Sequence, residues 1–169
     1  EYLYIRDIKG NVVKNVRNKV SGIEKYLSVF DYDKNKNYRL VVQEGRTVSM
    51  YDSKLNVVKG FKGTKTKKNI ANSMDHIRIL NKDFLIQYYD DKTFEIFDRR
   101  GRVRIKLPKD LKHGSTVFKN QNKLLFLSER NEIVKIDISG EVSYQPFTDK
   151  INNVASNQDL LVILTENKL

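Results

Sequence analysis

The chain has 169 residues, and 32 Lys and Arg against 21 Asp and Glu give it a formal net charge of +11. A hydrophobic fraction of 39%, with 31% charged and 10% aromatic residues, is the composition of one folded domain with a core. With no cysteine, disulfide frameworks, zinc knuckles, iron–sulfur sites and a cysteine nucleophile are excluded, and no apolar run approaches the ~20 residues of a spanning helix. The first residue is Glu1, which does not open a signal peptide, and the missing initiator Met points to upstream sequence already removed.

In chain order, the predicted elements form a repeat. EYLYIRDIKGNVVKNV (Glu1 to Val16) reads as two strands around a turn. Val12 to Lys25 is the one place to look for a helix, but its valines and Gly22 favour extended chain. YLSVFDY (Tyr26 to Tyr32) is a strand that leads into YRLVVQEGRTVSMYDSKLNVVKGF (Tyr38 to Phe61). HIRIL (His76 to Leu80) precedes FLIQYYDDKTFEIFDRRGRVRIKL (Phe84 to Leu107), and STVFKN (Ser115 to Asn120) precedes KLLFLSERNEIVKIDISGEVSYQPF (Lys123 to Phe147). INNVAS (Ile151 to Ser156) and DLLVILTENKL (Asp159 to Leu169) supply half of a further unit. Continuous runs such as LVV, LLFL and LLVIL are expected of strands buried on both faces.

Each unit carries a marker aspartate, Asp7, Asp52, Asp98 or Asp137, at spacings of 45, 46 and 39. Gly10, Gly101 and Gly140 follow three of them, where a tight turn needs positive φ. Leu55 stands in that place in the second unit, so a left-handed residue is not expected there unless Asn56 takes it over. Four short antiparallel strands in roughly 40–45 residues is the length of one propeller blade. The predicted fold is therefore an all-β propeller of four-stranded blades, at about residues 24–70, 71–113, 114–150, and 151–169 joined to 1–23. Three geometries fit: a four-bladed ring closed by the termini, two chains closing one eight-bladed ring, or an arc of a larger propeller. Leu160 to Leu164 is expected to be an inner buried strand, and Leu161 and Leu3 to lie on paired strands in whatever species is stable, a monomer or a homodimer.

The aromatic- or Ile-Asp-x-x-Gly-x-Val marker resembles the blade turns of the β-propeller superfamily, of the NHL, PQQ-like and WD-like kinds. FDYDKNKNYRLVV (Phe30 to Val42) is similar to the blade opening of FG-GAP-like propellers. The resemblance, to bacterial propellers of that general kind, implies a binding role and a place in the cell envelope or periplasm. It carries no catalytic residue to this chain.

Two groups of side chains are candidate sites. Asp31, Asp33, Asn35 and Asn37 present alternate oxygens, the arrangement that converges on Ca²⁺, and the matching positions of FG-GAP-like blades bind calcium. The same residues also read as a hairpin that satisfies its own backbone. Lys59, Lys62, Lys65, Lys67 and Lys68 form one basic run, and Arg99, Arg100, Arg102 and Arg104, ahead of Lys106, form another. Such runs attract phosphates and other polyanions, or form solvated faces that block edge aggregation. His76 and His113 have no nucleophile in triad-like context, and Asp90 and Asp91 have a simple turn explanation. The first functional reading is a non-catalytic module that binds a protein partner and needs no cofactor. The second is a basic surface for nucleic acid or an anionic glycan, and the third a small hydrolase or lyase with a channel site.

Overall fold

The computed structural model describes residues 2–17, 25–157 and 160–166, and contains no helix among them. Fifteen strands form five separate antiparallel sheets. The first pairs β1 (Tyr2–Arg6) with β2 (Val12–Arg17), and the second orders β3 (Lys25–Phe30), β4 (Arg39–Glu44) and β5 (Thr47–Asp52). The third orders β6 (Asp75–Ile79), β7 (Lys82–Tyr88), β8 (Phe94–Phe97) and β9 (Val103–Ile105). The fourth orders β10 (Phe118–Asn120), β11 (Lys123–Leu127), β12 (Glu132–Ile136) and β13 (Val142–Pro146). The fifth pairs β14 (Ile151–Ser156) with β15 (Leu161–Thr165). The second sheet has a bridge from Tyr51 to Val57 where the third and fourth sheets have a fourth strand. Residues 1, 18–24, 158–159 and 167–169 lie outside the described residues, and with them parts of the stretches 12–25 and 159–169 read from the sequence.

The sheets pack face to face in a row, because the second strand of each complete one is apolar on both sides. Val42, with Tyr51 and Leu55, buries against Ile5 of the first sheet, while Val41 turns the other way to Leu85, Tyr89 and Phe97 of the third. Phe84 and Ile86 face Leu124 and Phe126, and Leu125 faces Leu161 and Ile163. Tyr51, Tyr88 and Tyr89 all pack between sheets. One polar clamp crosses this core: Gln43 Nε2 donates to Gln87 Oε1 at 2.6 Å, and Gln43 Oε1 accepts the Met74 N–H at 2.8 Å.

The marker aspartates all build the same turn. The backbone N–H groups two and four residues on donate to one carboxylate oxygen: Lys9 and Asn11 to Asp7, Lys54 and Asn56 to Asp52, Arg100 and Arg102 to Asp98, Ser139 and Glu141 to Asp137. In three turns the side chain at the fourth position, Asn11, Asn56 or Arg102, holds the other oxygen. All four carboxyls therefore lie below the ordinary range. The largest influence is the Asn11 side chain at Asp7, the Asn56 N–H at Asp52 and the Ser139 hydroxyl at Asp137; at Asp98 burial opposes the shift and the donors of Arg102 prevail.

Two expectations are corrected. Leu55 itself takes the left-handed position, at φ 58°, because the Asp52 hydrogen bonds fix the turn and the Leu55 side chain is buried on Val42 and Tyr51. Leu160 to Leu164 is not buried on both sides: Leu160, Val162 and Leu164 are 62%, 57% and 39% exposed, since no sheet covers that face. Within the single chain Leu3 pairs with Val16 and Leu161 with Ser156, and among the described residues no ladder joins β1 to β15.

Two predictions follow from the turns. Leu55→Gly relieves a left-handed strain of about 1–2 kcal/mol but gives up a buried side chain worth about 2–5 kcal/mol, so urea melts should show a net loss of about 2 kcal/mol. A carboxyl whose folded pKa lies below its unfolded 3.8 adds stability that is present above that value and lost as pH falls through the folded one. The unfolding midpoint should therefore decline as the pH is taken below about 4, and Asp98→Asn should flatten part of that decline.

Candidate functional site

The turn between β7 and β8 and the chain leaving β9 frame a cleft of about 580 Å³. Its floor is apolar: Tyr89, Phe94, Ile105 and Leu111 are each less than a tenth exposed. β8 and β9 turn Phe94 and Ile105 inward, and Pro108, which cannot extend the ladder, closes the far end. Lys67, Lys68, Lys106 and Lys109 form the rim, with Glu95 the single carboxylate among the lining residues.

The rim charge is largely uncompensated. Lys68 is engaged, its Nζ 2.6 Å from Asp91 Oδ2 and 2.7 Å from Thr93 Oγ1. Burial acts against ionisation of Asp91, yet the Lys68 ion pair and the Thr93 donors hold its carboxyl down to about 2. Glu95 accepts the Tyr89 hydroxyl, and burial with that bond pushes the phenol well above its usual range. Lys67, Lys106 and Lys109 have no carboxylate partner among the described residues. A neighbouring hollow of about 290 Å³ shows the contrast. There Arg130 meets Asp110 at 3.2 Å and Lys112 meets Glu129 at 3.9 Å, so the charges compensate within the wall.

The fold brings the two basic runs together. The Lys62 N–H donates to the Arg100 carbonyl at 2.7 Å, and Gly101, at φ 73°, lies so close to Gly63 that a Cβ there would strike its backbone nitrogen. Of the nine residues singled out from sequence, Lys68, Arg99 and Arg102 are paired with carboxylates. Arg104 lies over the Phe84 ring, 5.2 Å from its centroid. Lys59, Lys62, Lys65, Lys67 and Arg100 are exposed and without a carboxylate partner among the described residues.

Asp31, Asp33, Asn35 and Asn37 are placed in one turn, with side-chain oxygens of the first three engaged. Asp31 accepts the backbone N–H groups of Asn35 and Lys36 at 3.1 and 3.0 Å, and Asn35 Oδ1 that of Asn37 at 3.0 Å. Asp33 turns away to Arg99 and Arg78, at 3.0 and 3.1 Å, whose donors hold its carboxyl below the usual range. Among the described residues no three His, Cys, Asp or Glu side chains are grouped to hold a metal. Asp33 joins a buried node, since Asp83 accepts Arg99 Nε at 2.7 Å, His76 Nε2 at 2.9 Å and Arg78 at 3.4 Å. His113 sits apart against Tyr88 and Phe94, with Nδ1 3.2 Å from the Ser115 carbonyl, and burial lowers its pKa.

Sequence reasoning missed Lys109 and the Asp83 node. Pro108 after an alternating strand was the available signal for the cleft, whereas nothing local links Asp33 to Arg99, 66 residues on.

The class these features define is an all-β chain of stacked small antiparallel sheets with a basic, apolar-floored cleft. No protein-family model matches the chain, and no curated protein does. Among solved structures, the crystal structure of the computationally designed Ika4 protein is similar, with a TM-score of 0.56 at 12% identity over 85% of this chain and 86% of that one. That likeness is one of fold alone. No helix among the described residues is long and apolar enough to cross a membrane.

The node yields a comparative prediction. Asp83→Ala leaves two guanidinium groups without their buried partner and should cost about 3 kcal/mol, whereas Asp33→Ala, at a half-exposed carboxylate, should cost less than about 1 kcal/mol in urea denaturation.

Proposed function

We propose that the chain is a non-catalytic interaction module, a β-propeller or an arc of one, that binds a protein partner through an acidic segment bearing apolar side chains. The observation that carries this reading is the cleft: an apolar floor under three lysines that no carboxylate of the described chain neutralises. An apolar anchor takes up the floor while flanking carboxylates meet Lys67, Lys106 and Lys109, which favours an acidic segment over a neutral one. β8 and β9 hold Phe94 and Ile105 of the floor, while the lysines stand in the turns and connections beside them, free to reach a ligand's carboxylates. The reading calls for no cofactor. Among the described residues no ladder joins β1 to β15, which leaves association with a second copy open alongside it.

A second reading has its own support. The Lys62–Arg100 hydrogen bond sets those two residues beside one another, with Lys59 and Lys65 exposed on the same run, a surface suited to nucleic acid or an anionic glycan.

One titration separates the two. Fluorescence anisotropy with a labelled twelve-residue peptide of Glu and Phe should show binding that weakens at least tenfold for the Gln-for-Glu peptide and for K67E/K106E. Equal binding of both peptides, or indifference to the double variant, overturns the protein-segment reading. The polyanion reading expects retention on heparin that collapses between about 50 and 200 mM salt, and no retention at low salt overturns it.

A further inference from the structure

The two outermost hairpins are complementary halves of one sheet. The β1–β2 turn is the Asp7–Gly10 marker turn, the same device that joins β8 to β9 at Asp98–Gly101 and β12 to β13 at Asp137–Gly140. β1 and β2 therefore correspond to the third and fourth strands of a complete sheet. β14 and β15 follow β13 as β10 and β11 follow β9, and correspond to the first and second. In both four-stranded sheets the second strand pairs with the third, β7 with β8 and β11 with β12. Among the described residues no second named strand is laddered to the matching edges, that of β15 over Leu161 to Leu164 and that of β1.

The bare faces match as well. Leu27 and Val29 stand opposite Val42 and Leu40 in the β3–β4 ladder, so all four side chains share one face of the second sheet. The first hairpin covers the outer part of that face, where Ile5 packs on the cluster of Val42, Tyr51 and Leu55. Leu27 and Val29 stay 60% and 61% exposed. At the other end Leu161 and Ile163 pack on the fourth sheet, while Val162 and Leu164 point away from it. Strand alternation then fixes the outcome of joining β15 to β1. With Leu161 and Ile163 kept on the fourth sheet, Val162 and Leu164 fall on the same side as Ile5, over Leu27 and Val29.

We propose that this surface is filled by a second copy of the chain: β15 of each copy pairs with β1 of the other, completing two four-stranded sheets, β14–β15–β1–β2, and closing the pair into one ring. A second copy supplies the missing half at each end without altering any contact inside either chain, whereas closure within one chain has to bend the open row. A contact between two different surfaces, used twice about a two-fold axis, closes rather than propagates.

Sedimentation equilibrium at tens of micromolar tests this. The wild-type chain should run at twice its 19.8 kDa mass. Val162→Lys and Leu27→Glu each change an exposed side chain, so the chain should still fold, and each should weaken the dimer at least tenfold. The combination of the two places opposite charges face to face and should restore at least tenfold of the lost affinity. A wild-type monomer, a dimer indifferent to both variants, longer polymers, or a combined variant no tighter than the single ones would each overturn the proposal. A monomer in which the β1 and β15 amides are protected from hydrogen exchange would assign closure to the single chain instead, and overturn it equally.

Discussion

A strand that is apolar on both faces cannot lie at a wet surface, and this chain places such a strand second in every complete sheet. Val41 and Val42, Leu85 and Ile86, and Leu124 and Leu125 each send neighbouring side chains to opposite sides, and all six are buried. At about 1.5–3 kcal/mol for each large apolar side chain removed from water, covering only one face forfeits about half of what a sheet contributes. Each sheet therefore needs two neighbours. The row of sheets follows from that requirement, and so does the incompleteness at its two ends, where Val162 and Leu27 remain in solvent.

The core leaves the turns to carry the chemistry. Because Asp7, Asp52, Asp98 and Asp137 satisfy their own turn backbone, the hairpin tips are fixed by local hydrogen bonds and need no burial to hold their shape. Side chains next to those tips are then available for other work. In the third unit the turn delivers Arg99 to Asp83 and Asp33, tying two sheets together at one end. The opposite turns and the chain beyond β9 gather lysines round an apolar floor. Charge is thus divided into a part that holds sheets in place and a part that remains open to a ligand.

Much of this architecture was legible in the sequence. The marker aspartates gave the hairpins, the following glycines their left-handed positions, and the LVV and LLFL runs the doubly buried strands. The signals that failed were those set by distance along the chain. Leu55 adopts a conformation that its residue type disfavours because Val42 and Tyr51 receive its side chain, and no local rule carries that information. Arg99 belonged to a basic run by sequence but is neutralised by Asp33 and Asp83 in space. The cleft was half visible: Lys67 and Lys68 lay in one run and Lys106 at the end of the other, but their convergence depends on the path of the chain after Ile105. The LLVIL run read as fully buried because its composition matches LLFL, although burial also needs a sheet on each side.

The requirement for two covered faces is tested most directly by amide hydrogen exchange read strand by strand at two protein concentrations. The account predicts that amides of β4, β7 and β11 exchange slowest at both concentrations, since they open only when the row itself comes apart. It predicts that β1 and β15 exchange fast in dilute solution and slow when concentrated, as their bare faces become covered. Fast exchange in β7 or β11, or protection of β15 that ignores concentration, would contradict it.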